Sequence, residues 1–292
     1  PPAHDAVLLV SPQVYELMDG PTSTELYWDS NAGAARNWKW GGNSSASLAA
    51  SLSSFSVLDE MVTLMQDRRL YPRLHSIIIA GHSAGGQIVQ RYALASSVYA
   101  SASTTIRYFP ANPSSFTYLD KQRPSQTDAW ACGAFCDNTT LLTRLWTFER
   151  PADNCSAYNQ YGYGLDGPLS PYLASRGIDA MVAAFGERNV TYLSGTSDVC
   201  NLPFMQEHSC TPGCVPDDGG LDTSCEAYTQ GYCRMARAHA YAQYVKQFYA
   251  QRGQASQLGQ GIFSHHLVSI PGVGHSGCAV FQSPQALAAM FP

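Results

Sequence analysis

The residues best placed to do chemistry lie in one short segment, Gly81-His82-Ser83-Ala84-Gly85-Gly86. A serine with a glycine two positions to either side is the G-x-S-x-G pattern. There the hydroxyl is lifted clear of a sharp turn between a strand and a helix. The flanking sequence supplies both elements. Ser76-Ile77-Ile78-Ile79-Ala80 is an apolar, β-branched run, and Ile88, Val89 and Tyr92 follow on one helical face. Such a turn holds its serine in a strained backbone conformation. Gly81 and Gly85 are therefore read as positions where a Cβ would collide with the neighbouring strand or helix. The chemistry implied is nucleophilic attack by Ser83.

A serine hydroxyl attacks poorly at neutral pH until a base takes its proton, and the base needs an acid to fix its tautomer. Two later segments offer these groups just past a strand. Residues 190–194 read as a strand that leads through Gly195-Thr196-Ser197 to Asp198. Residues 266–271 read as a strand that leads through Gly272-Val273-Gly274 to His275. Asp120, shortly after a strand at 104–110, is the competing acid. The other histidines fit less well. His4, His75, His208 and His239 are not at strand carboxyl ends, and His265 and His266 open the last strand at its far edge. His82, inside the turn, is expected to point away from the attack side.

The elements that must position these groups follow from periodicity. Residues 6–10 read as a buried strand, followed by a polar, aromatic loop through Trp28, Trp38 and Trp40. Helical periodicity runs over 48–69, 85–96, 171–185, 234–251 and 283–291, with a further helix expected at 139–148. Strands alternating with helices imply one α/β domain over 1–292, with a mostly parallel sheet and helices on both faces. Residues 121–188, without strand signal, read as a helical cap or lid, and 199–232 as a Cys-, Pro- and Gly-rich excursion.

Composition narrows the setting. Charged residues are only 13% of the chain and the net charge is −5, which argues against a nucleic-acid partner. No apolar run approaches the length needed to span a bilayer. Nine cysteines cluster in and after the cap, and N-x-S/T sequons stand at Asn43, Asn138, Asn154 and Asn189. Together they favour a secreted, disulfide-stapled glycoprotein. Paired C-x-x-C spacing with partner histidines is missing, so no metal is called for, and nothing calls for a cofactor.

Gly81-His82-Ser83-Ala84-Gly85-Gly86, Ser194-Gly195-Thr196-Ser197-Asp198 and Gly272-Val273-Gly274-His275 together resemble the α/β-hydrolase superfamily, over most of the chain from Ala6 onward. The resemblance implies that Ser83 attacks, His275 shuttles protons and Asp198 orients His275. It also implies that the Ala84 N–H is one oxyanion donor. The second donor in this superfamily comes from a loop after the third strand, usually marked by His-Gly, and that pair is not found upstream of the elbow. The segment between Pro12 and Leu48 is too polar and turn-rich to hold a further strand, so residues 6–10 read as strand four. Strands one to three and the oxyanion loop are then expected ahead of Pro1 or on a companion chain. An odd cysteine count leaves one thiol free or bonded to another polypeptide, and the cluster parities require a bridge between regions if pairing is maximal.

The leading functional expectation is a secreted carboxylic-ester hydrolase acting on a small-molecule ester. A peptidase, lactonase or acyltransferase would use the same triad. A non-catalytic hydrolase-fold binding protein is the reading from a different class, and the intact Ser83, His275 and Asp198 set argues against it. Trp130, Trp146, Tyr158, Tyr161 and Tyr163 in the cap suit an apolar or aromatic substrate group, or form the cap's own core.

Overall fold

Residues along a strand point alternately to the two faces of a sheet, so a strand apolar at every position is buried on both. The computed structural model describes residues 7–45, 51–125, 143–152, 155–199, 220–252 and 263–292, and in it the strand Asn189–Gly195 is buried on both faces from Val190 onward. Its elements in chain order are β1 (Tyr15–Glu16), β2 (Tyr27–Trp28), α1 (Ser54–Met65), β3 (Ser76–His82), α2 (Ala84–Ala95), β4 (Thr105–Ala111), β5 (Arg123–Pro124) and β6 (Phe148–Glu149). They continue with α3 (Pro171–Arg176), α4 (Ile178–Glu187), β7 (Asn189–Gly195), α5 (Cys225–Tyr228), α6 (Arg234–Gln251), β8 (His265–Ile270), α7 (Gly277–Phe281) and α8 (Pro284–Met290).

The central sheet has the order β3-β4-β7-β8, and every pairing in it is parallel. Ile77, Ile106, Tyr108, Val190 and Tyr192 face one layer, with Ile88, Val89 and Tyr92 of α2 and Tyr241, Tyr244 and Val245 of α6. Phe109, Ala111, Leu193 and Ile270 face the other, against Val280 of α7 and Ala286 of α8. Helices therefore cover both faces, and fully buried rings such as Phe55, Phe116 and Phe185 each contribute about 1.5–3 kcal/mol. Because all four strands run the same way, their carboxyl ends line one edge, where an α/β sheet places its ligands. No helix among the described residues is long and apolar enough to cross a membrane.

The expected strand at 6–10 is not formed over its described residues. Val7 to Val10 lie outside any strand, and Leu9 is 88% exposed. A β-branched apolar run becomes a strand only where a ladder partner exists, and pairing is a non-local matter that local propensity does not decide. The upstream ladder is instead the short parallel pair β1–β2, knotted by Glu16, whose carboxylate accepts from the Ser30 and Trp38 side chains.

Two further expectations change. The helix read at 171–185 is two helices, α3 and α4, broken at Gly177, whose φ of 77° lies outside helical space. The cap segment is not free of strands, since β5 and β6 pair antiparallel within it. Of the helix expected at 139–148, residues 139–142 lie outside the described residues, whereas Arg144 to Thr147 form no helix and Phe148 opens β6. A disulfide between Cys155 and Cys225 ties the cap segment to the chain after Asp198, which is a bridge between regions of the kind that parity requires.

Candidate active site

Ser83 stands between β3 and α2 at φ 56° and ψ −116°, a conformation rare for a residue with a side chain. Its N–H donates to the Ala111 carbonyl at the end of β4 at 2.9 Å, which anchors the turn to the neighbouring strand. The turn is tight. A Cβ on Gly81 would lie 2.3 Å from the Gly85 carbonyl oxygen, and one on Gly86 would lie 2.5 Å from the Ala111 carbonyl oxygen. Gly85 differs from the expectation, because a Cβ there would meet nothing within 4 Å. The steric requirement thus falls on Gly81 and Gly86, the latter facing Ala111 at the end of β4.

The loops after β7 and β8 bring the other two groups to the serine. His275 Nε2 lies 3.0 Å from Ser83 Oγ, and Nδ1 lies 2.8 Å from Asp198 Oδ2. An ionised carboxylate only accepts, so Nδ1 carries the proton and Nε2 is left to accept from the serine hydroxyl. Each loop is fixed against the other. Thr196 N–H donates to Ile270 C=O at 3.0 Å, Ser197 N–H to Val273 C=O at 2.9 Å, and Gly272 N–H to Thr196 Oγ1 at 2.9 Å. Asp120 lies elsewhere: its Oδ1 accepts from the Gln122 N–H and the Tyr244 hydroxyl.

Three neighbours border this constellation, and two of them, Arg234 and Asn112, were not singled out by their sequence. Arg234, the first residue of α6, places Nη1 3.8 Å from Asp198 Oδ1, with both side chains buried. Burial lowers the Arg234 pKa to about 10, and the Asp198 charge works against that shift. Asn112 bridges the two loops through its side-chain amide. His82 does not point away from the site as expected; its ring lies 4.4 Å from that of His275. Burial, reinforced by His275, lowers the His82 pKa to about 4, so at neutral pH it stands beside His275 as an uncharged ring. The only sequence signal for Asn112 was its place at a strand end before Pro113; Arg234 carried none.

The remaining expected residues are more dispersed. Ala84 is the first residue of α2, directly after the serine, and a first-turn N–H has no acceptor within its own helix. Asn43 is half-buried beside a bridge to Ser53, and Asn189 opens β7 opposite Arg107. Asn138 and Asn154 lie outside the described residues, as does Trp130. Trp146, Tyr158 and Tyr161 are buried; Trp146 packs with Val199, Tyr232 and Met235, and Tyr161 donates its hydroxyl to the Trp40 carbonyl, so Trp146 and Tyr161 join their segment to the rest of the chain.

The sequence matches the model of the alpha/beta hydrolase family over residues 40–290. No curated protein matches it. Among solved structures, poly(aspartic acid) hydrolase-1 from Sphingomonas sp. KT-1 is similar, with 22% identity and a TM-score of 0.47 over 79% of this chain and 61% of that one. The LpqC poly(3-hydroxybutyrate) depolymerase from Bordetella parapertussis is also similar, with 20% identity and a TM-score of 0.49 over 87% of this chain and 67% of that one. The chain thus spans less than two thirds of the length of the first and about two thirds of the second.

Proposed function

The chain belongs to the alpha/beta hydrolase family, and on that premise we propose that it is a secreted serine hydrolase that cleaves a carboxylic ester. The observation that carries this reading is the unbroken hydrogen-bonded line from Ser83 Oγ through His275 to Asp198, at 3.0 and 2.8 Å. In this reading Ser83 Oγ attacks the ester carbonyl carbon while His275 Nε2 takes its proton. The tetrahedral intermediate collapses as His275 returns that proton to the leaving alcohol, which leaves an acyl-serine. Water then attacks the acyl-serine with the same histidine as base, releasing the acid and the free hydroxyl. Asp198, ionised throughout, holds the Nδ1 proton and stabilises the imidazolium. The Ala84 N–H, aided by the positive end of α2, stabilises the oxyanion.

Residues 121–188 act as a cap on this single domain. Supporting this, the Gly162 carbonyl accepts from Arg91 of α2 and from Thr117 Oγ1 beyond β4, which bolts the segment onto elements that flank the serine. Secretion is supported by the Cys155–Cys225 disulfide together with the sequons at Asn43, Asn138, Asn154 and Asn189. The edge of β3 away from β4 pairs with no strand among the described residues, and Ala80 there is exposed. A strand supplied by a companion chain would cover this edge and bring a second oxyanion donor.

A fluorophosphonate probe tests the reading, with a panel of p-nitrophenyl esters of graded acyl length run beside peptide substrates. Stoichiometric labelling that Ser83→Ala abolishes, with ester turnover exceeding peptide turnover, is the expected result. An unlabelled, ester-inert native protein would refute the hydrolase assignment, and labelling with a preference for peptides would replace the esterase by a peptidase.

A further inference from the structure

Asn112 is the residue through which the three loops of the site meet. It ends the run from β4 at φ 43°, so the chain turns there into left-handed space. Asparagine tolerates that region best among residues with a side chain, whereas the following Pro113 would bias its predecessor towards extended backbone. The side chain is 1% exposed and is not in contact with Ser83, His275 or Asp198 through any hydrogen bond. It is therefore neither a reacting group nor a solvated turn residue.

Its partners explain its type. The backbone N–H of Asn112 donates to the Leu193 carbonyl of β7 at 3.0 Å, while the preceding Ala111 carbonyl accepts the N–H of Ser83 at 2.9 Å. The side-chain Oδ1 accepts the Gly195 N–H at 2.9 Å, and Nδ2 donates to the Gly274 carbonyl at 3.3 Å. Gly195 opens the loop that carries Asp198, and its carbonyl accepts the Asp198 N–H at 3.1 Å. Gly274 directly precedes His275. One loop offers a donor and the other an acceptor, so only a carboxamide, in one orientation, satisfies both at once. Aspartate would set an oxygen against the Gly274 carbonyl, and serine offers a single, shorter hydroxyl.

We propose that Asn112 is a positioning residue that holds the acid-bearing and base-bearing loops in register with the Ser83 turn. The inference rests on the proposed hydrolase reading for its kinetic consequence, but its structural content stands apart from substrate identity. Loss of the amide frees the Gly274 carbonyl and the Gly195 N–H together. His275 then drifts relative to both its partners, and misplacement on the scale of an ångström in such a site lowers turnover by about 10²-fold.

Two variants separate the amide from the backbone conformation. N112G removes the amide and accepts the positive φ without strain. N112D keeps the shape and the bond to Gly195 but loses the donor to Gly274, and it serves equally if N112G does not fold. Each is measured for kcat and KM on the best p-nitrophenyl ester and for the rate of fluorophosphonate labelling. Each is also examined by proton NMR for the strongly downfield His275 Nδ1–H. The expected result for both is a fall in kcat and labelling rate of roughly 10- to 100-fold with KM within about threefold. The downfield resonance is expected to broaden or vanish, with thermal melting still cooperative. A folded variant that keeps native kcat and a native downfield resonance overturns the proposal, because a merely structural role would alter melting alone. If the native protein is inert to esters and to the probe, the hydrolase reading fails and the resonance decides the positioning role: its loss in a folded variant supports the role, and its persistence overturns it.

Discussion

Asp198 is shared between the imidazole of His275 and the guanidinium of Arg234. Oδ2 takes the Nδ1–H of His275 at 2.8 Å, and Oδ1 faces Arg234 Nη1 at 3.8 Å with both side chains out of reach of water. Arg234 also opens α6, and the next residue, Met235, donates its N–H to the Asp198 carbonyl at 3.1 Å. The helix start and the acid are thus fixed as one unit. A buried carboxylate that must stay ionised needs a compensating charge, and the imidazole supplies one only while it is protonated. Arg234→Met should therefore destabilise the fold by about 3 kcal/mol in urea unfolding and lower kcat without a matching rise in KM. Unchanged unfolding and unchanged kcat would show that the guanidinium does not support Asp198.

Asp198→Asn should reduce kcat by roughly 10³–10⁴-fold, since an amide no longer fixes the histidine tautomer that accepts the serine proton. Asp120→Asn should change kcat by less than about threefold, because Asp120 is occupied by Tyr244 and Gln122. Steady-state kinetics on both variants decides between them. A crippled Asp120 variant beside an active Asp198 variant would reverse the acid assignment.

The turn makes a finer prediction. Gly86→Ala drives a Cβ to 2.5 Å from the Ala111 carbonyl oxygen, whereas Gly85→Ala enters open space. The Ala111 carbonyl is also the acceptor for the Ser83 N–H, so a shift there moves Ser83 itself. Gly85→Ala should keep activity within about threefold, and Gly86→Ala should lose most of it or fail to fold, at a cost of about 1–3 kcal/mol for the overpacking. Equal activities in the two variants would contradict this steric account.

Local chemistry made some of this site legible from sequence and hid the rest. Ser83, Asp198 and His275 each follow a strand through a short glycine-containing turn, and a strand followed by a turn leaves a mark within a few residues. The strand expected at 6–10, unformed over its described residues 7–10, was suggested by a local apolar run, but a strand also needs a partner, which no window of sequence contains. Gly177 broke a helix that periodicity alone ran straight through. Asn112 and Arg234 escaped because their roles are set by contacts with distant segments: Asn112 with Gly195 and Gly274, Arg234 with Asp198. Gly85 showed the opposite error. Motif position suggested a steric role that the actual crossing of α2 over β4 assigns to Gly86.

Reduction should inactivate the protein before it unfolds. The Cys155–Cys225 bridge spans 70 residues and joins the cap segment to the chain that enters α6. Closing a loop of that length contributes about 4 kcal/mol in the chain-entropy description. The sheet itself carries no bridge among the described residues, so its packing survives reduction longer. Graded dithiothreitol should abolish ester turnover while far-ultraviolet circular dichroism still reports the native fold. Full activity after verified reduction of Cys155 and Cys225 would contradict the prediction.

Acid should destabilise the fold through His239 and His265, with His82 beside the site adding to the effect. Burial lowers the pKa of His239, which projects from α6 against Ser269 of β8, to about 4. Burial also lowers His265 to about 4, among the rings of Phe185, Tyr192, Tyr249 and Phe263. An unfolded histidine titrates near 6.5, so between about pH 6.5 and 4 the unfolded chain binds more protons than the folded one. Their contribution is therefore complete above about pH 6.5 and is lost as the pH falls towards 4. The slope has an upper limit of about 1.4 kcal/mol per pH unit for each histidine. Carboxylates push in the same direction, so the measurement is a comparison of urea unfolding at pH 7.5, 6 and 5 for the native protein and for His239→Asn with His265→Asn. The double variant should be less stable at pH 7.5 but show a shallower decline with acid, and parallel declines would place the acid sensitivity in other groups.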